Sequence, residues 1–349
     1  MHVLCFIFNT DKSLFPGIAY ERALAQPAQQ VATDAKTRQE LYARSCRERN
    51  VALLRGRDAY LKEGIVIRDW EILNKENYRI PIRSYNSISA EERMNQDDAV
   101  IYYHGGGLYV GDLDSEDLTC RRICKDVGCN VYSVDYRLMT DFTADDAFDD
   151  AMTAFLGIIQ LQKIRKLLLM GSSSGGQLAA MVSQEYQHNR PPSLRDINVH
   201  GVLLRGPVTC DATEDGTSLP PQFKEYHTSM STAFHTSLLS SPAVNADNRV
   251  GRPMPLEGHL SGLPRHWIQV STNDIYYSDG VLYAEALRHV GVEVELDIVA
   301  GWPHTFWLKA PELERAVQAE QEMIIGIRWL FEAKVCDGRA KYQETMEAL

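Results

Sequence analysis

The sequence predicts an α/β protein built on a mostly parallel central sheet. Three patterns point there. Short apolar runs of strand length recur at 99–104, 130–135, 166–171, 199–205, 267–271 and 294–299. Segments of helical period separate several of them, at 115–127, 143–161, 176–188 and 278–290. Glycine-rich turns follow directly on two of the runs. Strands that alternate with helices imply βαβ crossovers, which are right-handed and leave helices on both faces of the sheet.

The elements follow in order. Residues 34–50 are charged and helix-forming, with Leu41 and Cys46 as sparse apolar positions, so residues 1–60 read as an N-terminal helical cap segment. The main domain is then 61–349. Ile65, Ile67 and Ile72, followed by Tyr78, Ile80 and Ile82, read as an antiparallel hairpin. With the six later runs the sheet has about eight strands. A long helix near 312–333 closes the pattern. One stretch breaks the rhythm. Residues 206–263 are rich in Pro, Ser, Thr and Gly and hold no strong strand. So long a segment inside an α/β domain is usually functional, and 207–262 reads as a cap insertion. Phe223, Tyr226, Met230 and Phe234 recur there at helical spacing and would form an apolar face.

Composition narrows the function classes. The 349 residues are 44% hydrophobic and 24% charged, near the globular average, which excludes a disordered or fibrous chain. A net charge of −11 and the lack of a Lys/Arg cluster argue against a nucleic-acid partner. No apolar run approaches the ~18 residues of a membrane span. The apolar run Val3 to Phe8 is too short for a signal-peptide core and no Lys or Arg precedes it, so a cytoplasmic chain is expected. Cys120, Cys124 and Cys129 cluster without Cys-x₂-Cys spacing or nearby histidines, and read as buried thiols rather than a zinc site.

Three motifs carry chemistry. Gly171-Ser172-Ser173-Ser174-Gly175 lies between an apolar strand and a helical segment. Strand, sharp turn and helix is the context that exposes a serine nucleophile, here Ser173. A serine hydroxyl needs a base to take its proton. His304 follows the last strand, at the same sheet edge as the serine, and Asp274 follows the preceding strand and would orient it. Asp279 is the rival carboxylate, and Asp274 is preferred because it lies nearer the strand end. His104-Gly105-Gly106-Gly107 follows another strand and would supply an oxyanion hole from the N–H groups of Gly106 and Gly107, with that of Ser174. His104 reads as a structural support of that loop. Leu108, Tyr226, Met230 and Phe234 are the candidate substrate-lining residues.

Taken together, these residues resemble the hormone-sensitive-lipase-like carboxylesterases of the α/β-hydrolase superfamily. The glycine run, the serine turn, Asp135-Tyr136-Arg137-Leu138, Leu260 to Pro264, Asp274 with Asp279-Gly280, and Gly301 with His304 and Phe306 all fit, over roughly residue 99 to the C-terminus. Ser172 and Ser174 stand where that group usually has an acidic residue and an alanine. Met139-Thr140-Asp141 replaces Ala-Pro-Glu, and Ile275 replaces a common proline. The resemblance implies an α/β-hydrolase fold with a helical cap, a Ser-Asp-His triad and hydrolysis of a small apolar or aromatic ester, with no metal or organic cofactor. Dehydratases, cyclases and acyl transferases share the scaffold and are the alternative. Receptors of this branch lack the histidine that this chain retains. The expected partner is a small molecule, and a homodimer is left open.

Overall fold

The computed structural model describes residues 34–88, 97–139, 141–210 and 253–332. The strands are β1 (Ile65–Leu73), β2 (Arg79–Ser87), β3 (Asp98–Tyr103), β4 (Asn130–Val134), β5 (Lys166–Ser172), β6 (Val199–Arg205), β7 (Arg265–Ser271) and β8 (Val294–Val299). They form one sheet in the order β1-β2-β4-β3-β5-β6-β7-β8. The hairpin pairs Ile65 with Ser87 through to Leu73 with Arg79 and joins β4 antiparallel. From β4 to β8 every pairing is parallel.

Strand alternation sets the two faces of the sheet. Ala99, Ile101 and Tyr103 of β3 point to one face with Leu167 and Leu169 of β5. There they meet Phe148, Ala151 and Phe155 of α3 (Ala144–Leu161), Leu178 and Val182 of α4 (Ser174–His188), and Leu282 of α5 (Tyr277–His289). Val100, Tyr102, Leu168 and Met170 point to the other face. They pack against Cys120 and Ile123 of α2 (Asp117–Val127) and against Met323, Ile327 and Leu330 of α7 (Glu314–Glu332). Burial on both faces explains why these strands read as continuous apolar runs. Cys120, Cys124 and Cys129 are buried within the second face.

Local chemistry fixes the helix ends. Thr143 caps α3 through a reciprocal pair with Asp146, and Gly128 closes α2 in the left-handed conformation, φ +77°. The helix expected from Ser115 begins at Asp117, because the Ser115 hydroxyl is engaged with Asp112 in the preceding turn. The helix expected from 312 begins at Glu314, after the single turn α6 (Phe306–Lys309).

Of the expected N-terminal cap, residues 1–33 lie outside the described residues. Its helix α1 (Ala35–Arg55) buries only Cys46 and Asn50 and is held largely by polar contacts. Gln39 donates to the Tyr109 carbonyl, Asn50 to that of Asp114 and Arg49 to those of Ser115 and Leu308. Of the expected insertion, 211–252 lies outside the described residues, with Phe223, Tyr226, Met230 and Phe234. Among the described residues no helix is long and apolar enough to cross a membrane.

Arg137, from the Asp-Tyr-Arg-Leu stretch, is 6% exposed and makes three hydrogen bonds to the fully buried Asp150 carboxylate, one through its backbone N–H and two through its guanidinium. Asn74 donates to the same carboxylate and so ties in the β1–β2 turn. Removing one partner of such a pair leaves a buried charge uncompensated. Asp150→Ala is expected to lower unfolding free energy by about 3–5 kcal/mol in urea titration. A loss below about 1 kcal/mol would show the pair to be structurally idle.

Candidate active site

Topology places the site. β3 lies between β4 and β5, and the chain leaves β3 toward one side of the sheet and β5 toward the other. The loops after these strands diverge, which opens a crevice at their carboxyl ends. The glycine run follows β3 and the serine turn follows β5, with Tyr103 and Gly171 in register beside each other.

Ser173 occupies φ +52°, ψ −124°, outside the regions favoured by residues with a side chain. The turn can close because Gly171 and Gly175, two residues to either side, carry no Cβ. A Cβ on Gly171 would lie 2.2 Å from the Gly175 carbonyl oxygen, and one on Gly175 would lie 2.1 Å from that of Tyr103. The Ser173 N–H donates to the Arg205 carbonyl at 2.9 Å, which anchors the turn to the end of β6. Helix α4 starts immediately after, at Ser174 rather than at the expected Gly176, and its N-terminal dipole lies beneath the serine.

His304 and Asp274 meet this serine. His304 Nε2 lies 2.8 Å from Ser173 Oγ, and His304 Nδ1 lies 2.7 Å from Asp274 Oδ2. A carboxylate can only accept, so Nδ1 carries the proton and Nε2 is left to accept from the serine hydroxyl. Asp274 is 2% exposed, and its Oδ1 accepts from the Tyr276 N–H at 2.9 Å. The Tyr276 ring meets the imidazole edge to face at 5.1 Å. The two loops are also tied to each other. Asn273 donates from its backbone to the Trp302 carbonyl and from its side chain to that of Gly301, while Thr272 Oγ1 accepts from the Gly301 N–H.

The glycine run lies against the serine turn. A Cβ on Gly105 would lie 3.3 Å from that of Ser173. Gly106, Gly107 and Leu108 all have positive φ, at +131°, +67° and +59°. A Cβ on Gly106 would lie 1.9 Å from the Val110 carbonyl oxygen, so that position admits glycine alone. The Gly105 N–H is taken up by Glu116 at 2.8 Å. Leu108 is fully buried and donates its N–H to Ser174 Oγ at 3.1 Å. His104 is buried beneath the loop. It stacks on Tyr136 at 4.3 Å, lies 2.8 Å from the Gly105 carbonyl through Nδ1, and has its pKa pushed down by burial.

The rival Asp279 is committed elsewhere. Its Oδ2 accepts from the Thr209 and Cys210 N–H groups at 2.8 and 2.9 Å, and its Oδ1 has no hydrogen-bond partner among the described residues. Burial, with the neighbouring Asp274 charge, pushes its pKa up to about 7. Two contributors escaped the sequence reading. Gly206, at φ +52°, lets β6 pass close to the pair, since a Cβ there would lie 3.2 Å from Asp274 Oδ2 and 3.3 Å from the imidazole. A glycine at a strand end before proline was the available signal. Glu116 was missed because a lone glutamate at a helix start reads as a helix-end charge. Among the described residues no group of three His, Cys, Asp or Glu is arranged to hold a metal ion.

A family model described as alpha/beta hydrolase fold matches residues 100–308, more than half of the chain, and the chain belongs to this family. Lipase 2 of Moraxella sp. strain TA144 is 26% identical over 269 residues, covering 68% of this chain and 62% of the lipase, so the match spans less than two thirds of that relative. Ethyl acetate hydrolase of Pseudomonas putida is 28% identical over 283 residues, covering 77% of this chain and 83% of the hydrolase. An esterase structure from Pyrobaculum calidifontis superposes with a TM-score of 0.68 at 24% identity, covering 90% of this chain and 99% of that one, a likeness of fold.

Asp279 yields a signed pH prediction. With its folded pKa raised, the native state holds a proton that the unfolded state releases above about pH 4. Its contribution to stability therefore falls as pH rises from about 4 to about 7. Asp279→Asn keeps an acceptor for Thr209 and Cys210 and removes the charge. Its stability gain over the parent chain, measured by urea unfolding, should grow across that window and level off above it. A flat or shrinking difference would contradict the assignment.

Proposed function

We propose that this chain hydrolyses carboxylic esters through a covalent acyl-serine intermediate. The observation that carries the reading is the continuous hydrogen-bonded line from Asp274 through His304 to Ser173, at 2.7 and 2.8 Å, beside the glycine run. Ser173 Oγ attacks the ester carbonyl and bonds to its carbon as His304 Nε2 takes the hydroxyl proton. Asp274 stabilises the imidazolium and holds its tautomer. The negative charge on the carbonyl oxygen is met by the N–H groups of Gly106, Gly107 and Ser174, the last at the N-terminus of α4. When the tetrahedral adduct collapses, the C–O bond to the alcohol breaks and His304 returns its proton to the leaving oxygen. Water, deprotonated by the same imidazole, then releases the acid and restores Ser173.

The substrate class follows from weaker support. Leu108 beside the glycine run, with Tyr226, Met230 and Phe234 in the sequence, favours a small apolar or aromatic ester. The name of the Pseudomonas relative, ethyl acetate hydrolase, agrees with a small ester. We place the reaction in the cytoplasm, with no metal or organic cofactor.

Kinetics on a short-chain nitrophenyl ester test the roles. Ser173→Ala and His304→Ala should each lower kcat by at least about 10³-fold. Asp274→Asn should lower it by about 10²-fold or more, and Asp279→Asn by less than about threefold. Full activity in either of the first two variants would reject the mechanism. The reverse order of the two aspartates would reject the choice of acid.

A further inference from the structure

The two serines flanking the nucleophile depart from the pattern that the rest of the motif follows, and both reach across the crevice. Ser172 Oγ donates to Glu116 Oε1 at 2.5 Å. The same oxygen accepts from the Gly105 N–H at 2.8 Å, and the other carboxylate oxygen accepts from the Tyr102 hydroxyl. Glu116 is 4% exposed, so a carboxylate buried behind the loop is held by three neutral donors. On the other flank, Ser174 Oγ accepts from the Leu108 N–H at 3.1 Å. Gly105 and Leu108 are the residues immediately outside Gly106 and Gly107. The serine turn thus grips the glycine run at both ends, through a carboxylate on one side and directly on the other.

Such a grip has work to perform. Three consecutive positive φ values end at Leu108, and a bulky residue with positive φ is strained. Strain of this kind persists only where the surroundings over-determine it. Leu108 is held from two sides, since its carbonyl also accepts from the Met139 N–H at 2.7 Å. The loop's own turn, in which the Gly106 carbonyl accepts from the Tyr109 and Val110 N–H groups at 3.1 and 3.0 Å, holds that side of the loop. The two serine-turn contacts hold the residues at either end of Gly106-Gly107.

We infer that Glu116, Ser172 and Ser174 are positioning residues that set the direction of the Gly106 and Gly107 N–H donors toward the tetrahedral oxyanion. This rests on the acyl-serine reading. Donors aimed at charge that develops only in the transition state lower the barrier without tightening substrate binding, so a loosened grip reads out in kcat rather than KM.

The test compares Ser174→Ala, Glu116→Ala and Glu116→Gln in the full chain. Each is titrated to completion with a fluorophosphonate, melted thermally, and assayed on a nitrophenyl acetate. In the parent chain the probe should label Ser173 once per chain; no labelling would sink the acyl-serine reading itself and is recognisable as that failure. With labelling intact, Ser174→Ala and Glu116→Ala should each lose about tenfold or more in kcat, with KM changed less than about threefold. Glu116→Gln should recover most of the loss. Its carbonyl can still accept from Gly105 and Ser172, while its amide donates to the Tyr102 hydroxyl oxygen. If Glu116→Ala does not fold, Ser174→Ala decides alone. The inference is overturned if labelled Ser174→Ala keeps kcat within about twofold, if the loss falls on KM, or if Glu116→Gln is no better than Glu116→Ala.

Discussion

Ser173 holds φ +52°, ψ −124°, a conformation that costs a residue with a side chain on the order of 1–3 kcal/mol. Everything else in the site answers to that turn. Gly171 and Gly175 are glycines because the turn brings carbonyl oxygens within 2.2 Å of where their Cβ atoms would be. Gly175 touches the end of β3, so the same tightness seats the glycine run beside the serine. The Arg205 carbonyl holds the Ser173 N–H, and Gly206 lets β6 continue past the imidazole without a clash. The turn is strained by itself and stable only as the point where three strand ends meet.

The buried charges around it serve the same geometry. Arg205 is fully buried, with its carbonyl on the serine turn and its guanidinium bonded to Gln269 and to Glu320 of α7. Glu320 also receives Arg122 of α2, and its pKa is held down by these two cations against the opposing effect of burial. Helices α2 and α7 are thereby fastened beneath the strand that anchors the serine turn. Glu116, near the start of α2, faces the glycine run from this fastened helix. A carboxylate that must hold backbone donors in place benefits from a rigid support.

Much of this was legible in the sequence, for identifiable reasons. The strands β3 to β7 are mostly buried on both faces, so their apolar runs stand out to within one or two residues of their observed ends, and the edge strand β8 shows through its alternating Val294, Leu296 and Ile298. The hairpin shows through Ile80 and Ile82, both fully buried. Ser173, Asp274 and His304 could be proposed together because each follows a strand in a doubly wound sheet, which sends all three to one edge. What stayed hidden depends on contacts between distant segments. Ser172 and Ser174 stood out in the sequence only as departures from the related motif, and the fold sets them against Glu116 and Leu108. Asp279 and Asp274 were separable only by position along the chain, and the structure separates them by partners, His304 for one and the Thr209–Cys210 backbone for the other. Helix α1 is polar on most of its surface, so no apolar stripe announced that it lies against the loop after the glycine run.

The central claim is that the strained serine carries the acyl group during turnover. Rapid mixing with a nitrophenyl ester, acid quenching within the first turnovers and mass spectrometry of the digested chain read this directly. The account predicts an added acyl mass on the peptide containing Ser173, formed as fast as nitrophenol is released and lost at the rate of steady-state hydrolysis. Nitrophenol release with no acyl mass on that peptide, or with the acyl group on another residue, would contradict it.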